Sequence, residues 1–129
     1  MLILLPPSET KRDGGDGRAL DTAALRFPGL SSSRNDVLGA LVSLASDESA
    51  TITALKLGPK QLAEVGRNRA AATSATMPAL DRYTGVLYDA LDAATLTPDA
   101  RRFAGEHLVV HSALLGPVGA LDEIPAYRL

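Results

Sequence analysis

Three groups of side chains in this sequence have types and spacings that could do chemistry. The first is Ser8-Glu9-Thr10-Lys11, which follows the apolar run Leu2-Ile3-Leu4-Leu5 and the pair Pro6-Pro7. The second is His111-Ser112, which follows another apolar run, Leu108-Val109-Val110. The third is segment 55–69, LKLGPKQLAEVGRNR, which places Lys56, Lys60, Arg67 and Arg69 around a Gly58-Pro59 turn. An amine set among hydroxyls suits a phosphate or a carboxylate. A tyrosine such as Tyr83 or Tyr127 brought to the same place could act as acid or base.

Each group also has an ordinary reading. Ser8 and Lys11 match S-x-x-K, but that chemistry needs the serine at a helix start, and the companions K-T-G and S-D-N are absent. His111 and Ser112 are neighbours, so on a strand they point to opposite faces and cannot pair. His111 could serve Ser8 across a crevice, although a satisfied core histidine is commoner, and no G-x-S-x-G elbow occurs. Asp13-Gly14-Gly15-Asp16-Gly17 lacks the spacing of a calcium loop and is not a P-loop; it reads as a flexible loop. The Leu-Gly-Pro-Lys turn resembles a helix-hairpin-helix, where backbone amides at a glycine-rich turn grip phosphates. Lys56 and Lys60 are four apart, and Lys60 and Arg67 seven apart, so all three could share one helical face. The usual second glycine is missing, and Glu64 offsets part of the charge. A solvated helix face is the plain alternative.

The elements that must position these groups are partly legible. Leu2–Leu5, apolar on both faces, reads as a strand buried between layers. Segment 11–33 reads as a long loop with a short amphipathic turn near Leu20–Phe27. Ser33-Arg34-Asn35-Asp36 supplies N-cap chemistry for a helix carrying Val37, Leu38, Leu41, Val42 and Leu44 on one face. Residues 47–53 read as a connection, and Pro59 suits the first turn of the next helix. Residues 77–91 are ambiguous between helix and strand end. Thr97-Pro98-Asp99 starts another helix, and residues 108–110 form a second buried strand. Gly116, Pro117 and Gly119 break the chain beyond that strand. Strands separated by helices imply an α/β (mixed α+β) architecture, a mixed sheet with flanking helices. Ligands gather beyond the carboxyl ends of such strands, so the Lys11 and Ser112 groups would line one crevice.

Bulk properties narrow the function classes. The length of 129 residues fits one domain, and with 4% aromatics and no tryptophan the core must be aliphatic. A net charge of −2 excludes a wholly basic polyanion binder but not a local basic patch. The absence of cysteine removes disulfides and thiolate chemistry, and two histidines make no recognisable metal site, so no metal or cofactor is expected. No stretch reaches the roughly 18 apolar residues of a membrane helix. The expectation is a soluble, cytoplasmic protein without a membrane partner.

Three ordered blocks, MLILLPPSETK, LDRYTGVLYDAL and HLVVHSALLGPVGALDEIPAYRL, are together similar to the YaaA peroxide-stress protein family. The matching residues are Pro7, Thr10 and Lys11; Gly85 and Tyr88; and Ser112, Gly116, Leu121, Asp122, Pro125, Tyr127 and Arg128. The resemblance implies a fold of the family's own kind with a helix-hairpin-helix and a positively charged cleft that binds DNA. It also implies a role in limiting oxidative, iron-dependent damage during peroxide stress, with any effect on iron homeostasis indirect. Carried onto this chain, the DNA contacts would be Lys56, Gly58, Lys60, Arg67, Asn68 and Arg69. Family members are about twice as long, so residues 1–129 correspond to the N-terminal half of a longer domain, an incomplete fold open to self-association or to pairing with the other half. The competing expectation is an enzyme acting on an anionic, nucleotide-like small molecule in a crevice of Ser8, Thr10, Lys11, Tyr83, Ser112, Tyr127 and Arg128.

Overall fold

In the computed structural model, which describes residues 1–129, two short sheets are set among six helices. Strand β1 (Ile3–Leu5) pairs in parallel with β3 (Leu108–Ser112), Ile3 opposite Leu108 and Leu5 opposite Val110. Strand β4 (Gly116–Gly119) returns antiparallel along β3, giving the order β1-β3-β4. A second ladder joins β2 (Met77–Pro78) to β5 (Glu123–Ile124), antiparallel. The architecture is α/β with a mixed sheet, as the alternation of elements implied.

β3 is the buried centre: Val109 is 1% and Val110 0% exposed. β1 is not. It is an edge strand, and Leu4 is 72% exposed, contrary to the expectation of a strand covered on both faces. The apolar run identified the strand, but the sheet adds no neighbour on its outer side. β4 replaces the expected break. Gly116 sits at φ 66°, the left-handed turn geometry that glycine enters without a Cβ penalty, and the chain then re-pairs with β3.

Helix α1 (Ser31–Ala45) starts two residues before the expected cap, directly after a 3-10 turn at Pro28–Leu30. It buries Arg34, Leu41 and Ala45, while Val37 stays 41% exposed, so the inward face is rotated from the one the apolar spacing suggested. Arg34 occupies part of that inward face. Its guanidinium is 2% exposed and donates to the carbonyls of Leu115 (2.7 Å), Pro117 (2.7 Å), Arg26 (2.8 Å) and Phe27 (3.2 Å). One side chain thereby ties α1 to the turn beyond β3.

Residues 47–53, expected as a connection, lie largely in helix α2 (Glu48–Leu55). The Asp47 carboxylate accepts from Ala50 N–H at 3.0 Å, an N-cap. Lys56 ends α2 in the left-handed region, a 3-10 turn spans Pro59–Gln61, and α3 (Ala63–Arg69) follows. The ambiguous stretch resolves into α4 (Ala79–Arg82) and α5 (Val86–Leu91), and α6 (Pro98–His107) begins at a Thr97 cap as expected. The main core holds Leu25, Leu41, Val110, Leu115, Val118 and Ile124 with all three tyrosines, each such side chain stabilising the fold by roughly 1.5–3 kcal/mol. No helix is long and apolar enough to cross a membrane.

Candidate functional site

Pro6-Pro7 end β1, and the chain turns through Ser8–Lys11 beside the α4–α5 junction. The Tyr88 hydroxyl donates to Pro6 O at 2.5 Å, Thr84 N–H donates to Thr10 O at 3.1 Å, and Thr10 Oγ1 donates back to Thr84 O at 3.2 Å. Gly85 must be a glycine here. Its φ is 107°, and a Cβ would stand 3.1 Å from Ser8 Oγ. These contacts direct Lys11 inward, where it is 8% exposed. Its ammonium donates to the carbonyls of Ser8 (2.9 Å) and Glu9 (3.1 Å) and lies 4.3 Å from the Tyr127 ring centroid. Burial pulls the amine down to about 8, against the pull of Glu64 and with the repulsion of Arg128 and Arg67.

Behind Lys11 runs a chain of hydroxyls. Tyr83 and Tyr127 share a hydrogen bond of 2.7 Å, and Tyr127 shares another of 2.7 Å with Ser112. Ser112 Oγ accepts from the amides of Leu114 (3.2 Å) and Leu115 (3.1 Å), so its own proton goes to Tyr127. Burial raises all three phenols, Tyr88 to about 12. The crevice expected from the two strand ends does bring Lys11, Tyr83, Ser112 and Tyr127 together. It holds them as a closed network, with the amine on backbone carbonyls and Ser112 1% exposed. Ser8 Oγ lies 3.2 Å from Thr10 Oγ1, while Lys11 holds the Ser8 carbonyl, so the S-x-x-K geometry is not formed. His111 is on the opposite, exposed face of β3. Arg128 stands at the rim, paired with Glu9 at 3.2 Å.

Helix α3 forms the other wall. Arg67 bonds Asp13 of the first loop at 2.5 Å and Glu64 at 3.3 Å. Asn68, fully buried, clamps the Arg128 peptide: its Nδ2 donates to Arg128 O and its Oδ1 accepts from Arg128 N–H, both at 2.7 Å. Arg69 Nε donates to Ala45 O at 3.1 Å. At the preceding turn, Gly58 N–H donates to Gln61 Oε1 at 2.9 Å, and Gln61 N–H to Gly58 O at 2.9 Å. Lys56 and Lys60 remain exposed and outside any ion pair, Lys56 at the end of α2 and Lys60 within that turn. The six expected DNA contacts therefore divide: two cations stand free, while Gly58, Arg67, Asn68 and Arg69 are engaged within the chain.

Sequence reasoning missed Arg82 and Arg34. Arg82, 0% exposed, donates to the carbonyls of Arg12 (2.7 Å), Ala75 (3.1 Å) and Ile124 (3.1 Å), and so joins the first loop to β5. Its neighbour Asp81 is bridged to Arg101 of α6. No local pattern separates such an arginine from a solvated one, because its partners are main-chain oxygens distant in sequence.

A family profile described as "Peroxide stress protein YaaA" matches residues 1–129. The chain belongs to the YaaA peroxide stress protein family. A UPF0246 protein of Corynebacterium glutamicum is 50% identical over 129 residues, covering all of this chain and 50% of that relative. A UPF0246 protein of Streptomyces coelicolor is 47% identical over 129 residues, covering 99% of this chain and 50% of the relative. A UPF0246 protein of Leptothrix cholodnii is 44% identical over 52 residues, 40% of this chain. The chain thus spans about half the length of the curated relatives it matches. The YaaA family membership expected from the three sequence blocks is confirmed.

Proposed function

We propose that this chain carries the DNA-binding surface of a peroxide stress protein, and that occupancy of DNA is how the protein limits oxidative, iron-dependent damage. The observation that carries this reading is the pair Lys56 and Lys60. Both are exposed and free of carboxylate partners at the turn between α2 and α3. Two free ammonium groups at a helix–turn–helix edge grip phosphates without reading bases, so duplex or branched DNA would bind with weak sequence preference. The helix-hairpin-helix assignment is part of this proposal. Its amide contribution is narrowed, because the Gly58 N–H is already held by Gln61. A peroxide role for this DNA contact rests on the family to which the chain belongs.

The enzyme reading is less well supported. A small anion at Lys11 would have to displace the Ser8 and Glu9 carbonyls, and one at Arg128 would compete with Glu9. The deciding experiment is fluorescence anisotropy with plain and branched DNA across a salt series, for the wild type and Lys56→Glu/Lys60→Glu, with circular dichroism of both. Salt-sensitive binding that is lost in a folded double variant is the expected result. Equal binding by the two proteins sinks the assignment.

A further inference from the structure

The outer side of β1 is the least finished surface of the molecule. The strand pairs with β3 on one edge and with nothing on the other. Met1, Leu2, Ile3 and Leu4 are 82%, 51%, 37% and 72% exposed, although a parallel pair is normally covered on both faces. Further exposed apolar side chains belong to elements joined to the two ends of the strand. At its start, His107 Nδ1 lies 2.8 Å from Met1 O, and Phe103, 49% exposed, packs its ring 4.2 Å from the His107 ring. At its end, Tyr88 anchors α5 to Pro6, and Val86 and Leu87 on that helix are 92% and 42% exposed.

Solvent-facing edges are normally defended by charges, bulges or an internal proline. Residues 1–7 contain no charged side chain, and the prolines come only after the strand. The accessible surface, 7031 Å², is about 500 Å² above the roughly 6,500 Å² expected for a globular chain of 13.4 kDa. An undefended edge that carries exposed apolar side chains, together with a surplus of accessible surface, indicates a face that is covered in the working protein.

We propose that this face is the seat of the half of the family's polypeptide that the present sequence does not match, which adds a strand to the free edge of β1 and lays apolar residues over Leu2, Leu4, Phe103 and Val86. Two observations choose this occupant. The relatives carry as much chain again as this one supplies. A second copy paired edge to edge through β1 alone would meet over only three residues per strand. The inference does not depend on DNA binding.

Amide hydrogen exchange tests it directly. The strand is followed in this chain and at the matching positions of the intact Corynebacterium glutamicum relative, with sedimentation to fix the oligomeric state of each. Exchange at least tenfold slower in the relative than in this chain is the expected result. Equal rates overturn the proposal, and so does a dimer of this chain with a protected β1, which would assign the face to a second copy. Leu4→Lys serves as a second measurement. It should leave the melting temperature of this chain unchanged, and a fall of several degrees would show that the face is already packed within the chain.

Discussion

The charge on Lys11 is held where water scarcely reaches, between two carbonyls and the faces of Tyr127 and Tyr83. The folded amine titrates near 8 and the unfolded one near 10.5, so between those values the unfolded chain binds more protons. Stability should therefore rise with pH across that window. The phenols act in the opposite sense. Raised in the folded state, Tyr83, Tyr88 and Tyr127 keep protons that the unfolded chain releases near 10, so stability should fall above that pH. Urea denaturation from pH 7 to 11 should show a maximum between these regimes, and Lys11→Met should remove the rise and retain the fall. A rise that survives in Lys11→Met would assign the titration to another group. The hydroxyl chain makes a separate prediction. Tyr127→Phe leaves the Ser112 proton and the Tyr83 oxygen without their shared partner, at a cost of about 1–3 kcal/mol in denaturation experiments.

At the scale of elements, stability depends on caps and on side chains that cross between segments. Asp47→Ala removes the acceptor for Ala50 N–H and should cost about 0.5–2 kcal/mol, whereas Asp47→Asn should retain most of the stability. Thermal melts of the two variants separate capping from charge. The same helix shows why part of the fold was not legible in the sequence. The α2 segment carries no apolar stripe. Its buried residue is Thr51, whose hydroxyl donates to the carbonyls of Leu44 (2.8 Å) and Asp47 (2.9 Å), so hydrophobic periodicity had nothing to detect. β4 escaped for a related reason: glycine and proline mark turns locally, and only the antiparallel partner β3 makes that segment a strand. By contrast α6, with a Thr97 cap and Pro98 in its first turn, and β3, a continuous apolar run, were readable because local chemistry alone specifies them. The crevice was half legible. The rule that ligands collect beyond strand ends brought Lys11 and Ser112 together, and Tyr83 and Tyr127 were expected in the same crevice; no spacing reveals that their hydroxyls close it into a buried network.

Over the whole molecule, a net charge of −2 repels DNA at long range, so the proposed DNA binding requires a patch small enough to act within the screening length of roughly 8–10 Å. The structure limits how many cations that patch contains. Arg67 is neutralised by Asp13 and Glu64, Arg128 by Glu9, and Arg69 is anchored to Ala45, leaving Lys56 and Lys60 as the unpaired cations between α2 and α3. Each phosphate neutralised contributes about −0.9 to the slope of log affinity against log salt, so this surface alone should give a slope near −2 on duplex DNA. Lys60→Gln should bring the slope close to −1 and weaken binding at low salt. Arg67→Gln should change it little, because that guanidinium is already paired. Asp13→Asn is the sharper variant: it frees part of Arg67, so both the slope and the affinity should increase if α3 faces the phosphates. An unchanged slope in Asp13→Asn, beside a reduced one in Lys60→Gln, would confine the DNA to the turn and exclude the cleft between the first loop and α3.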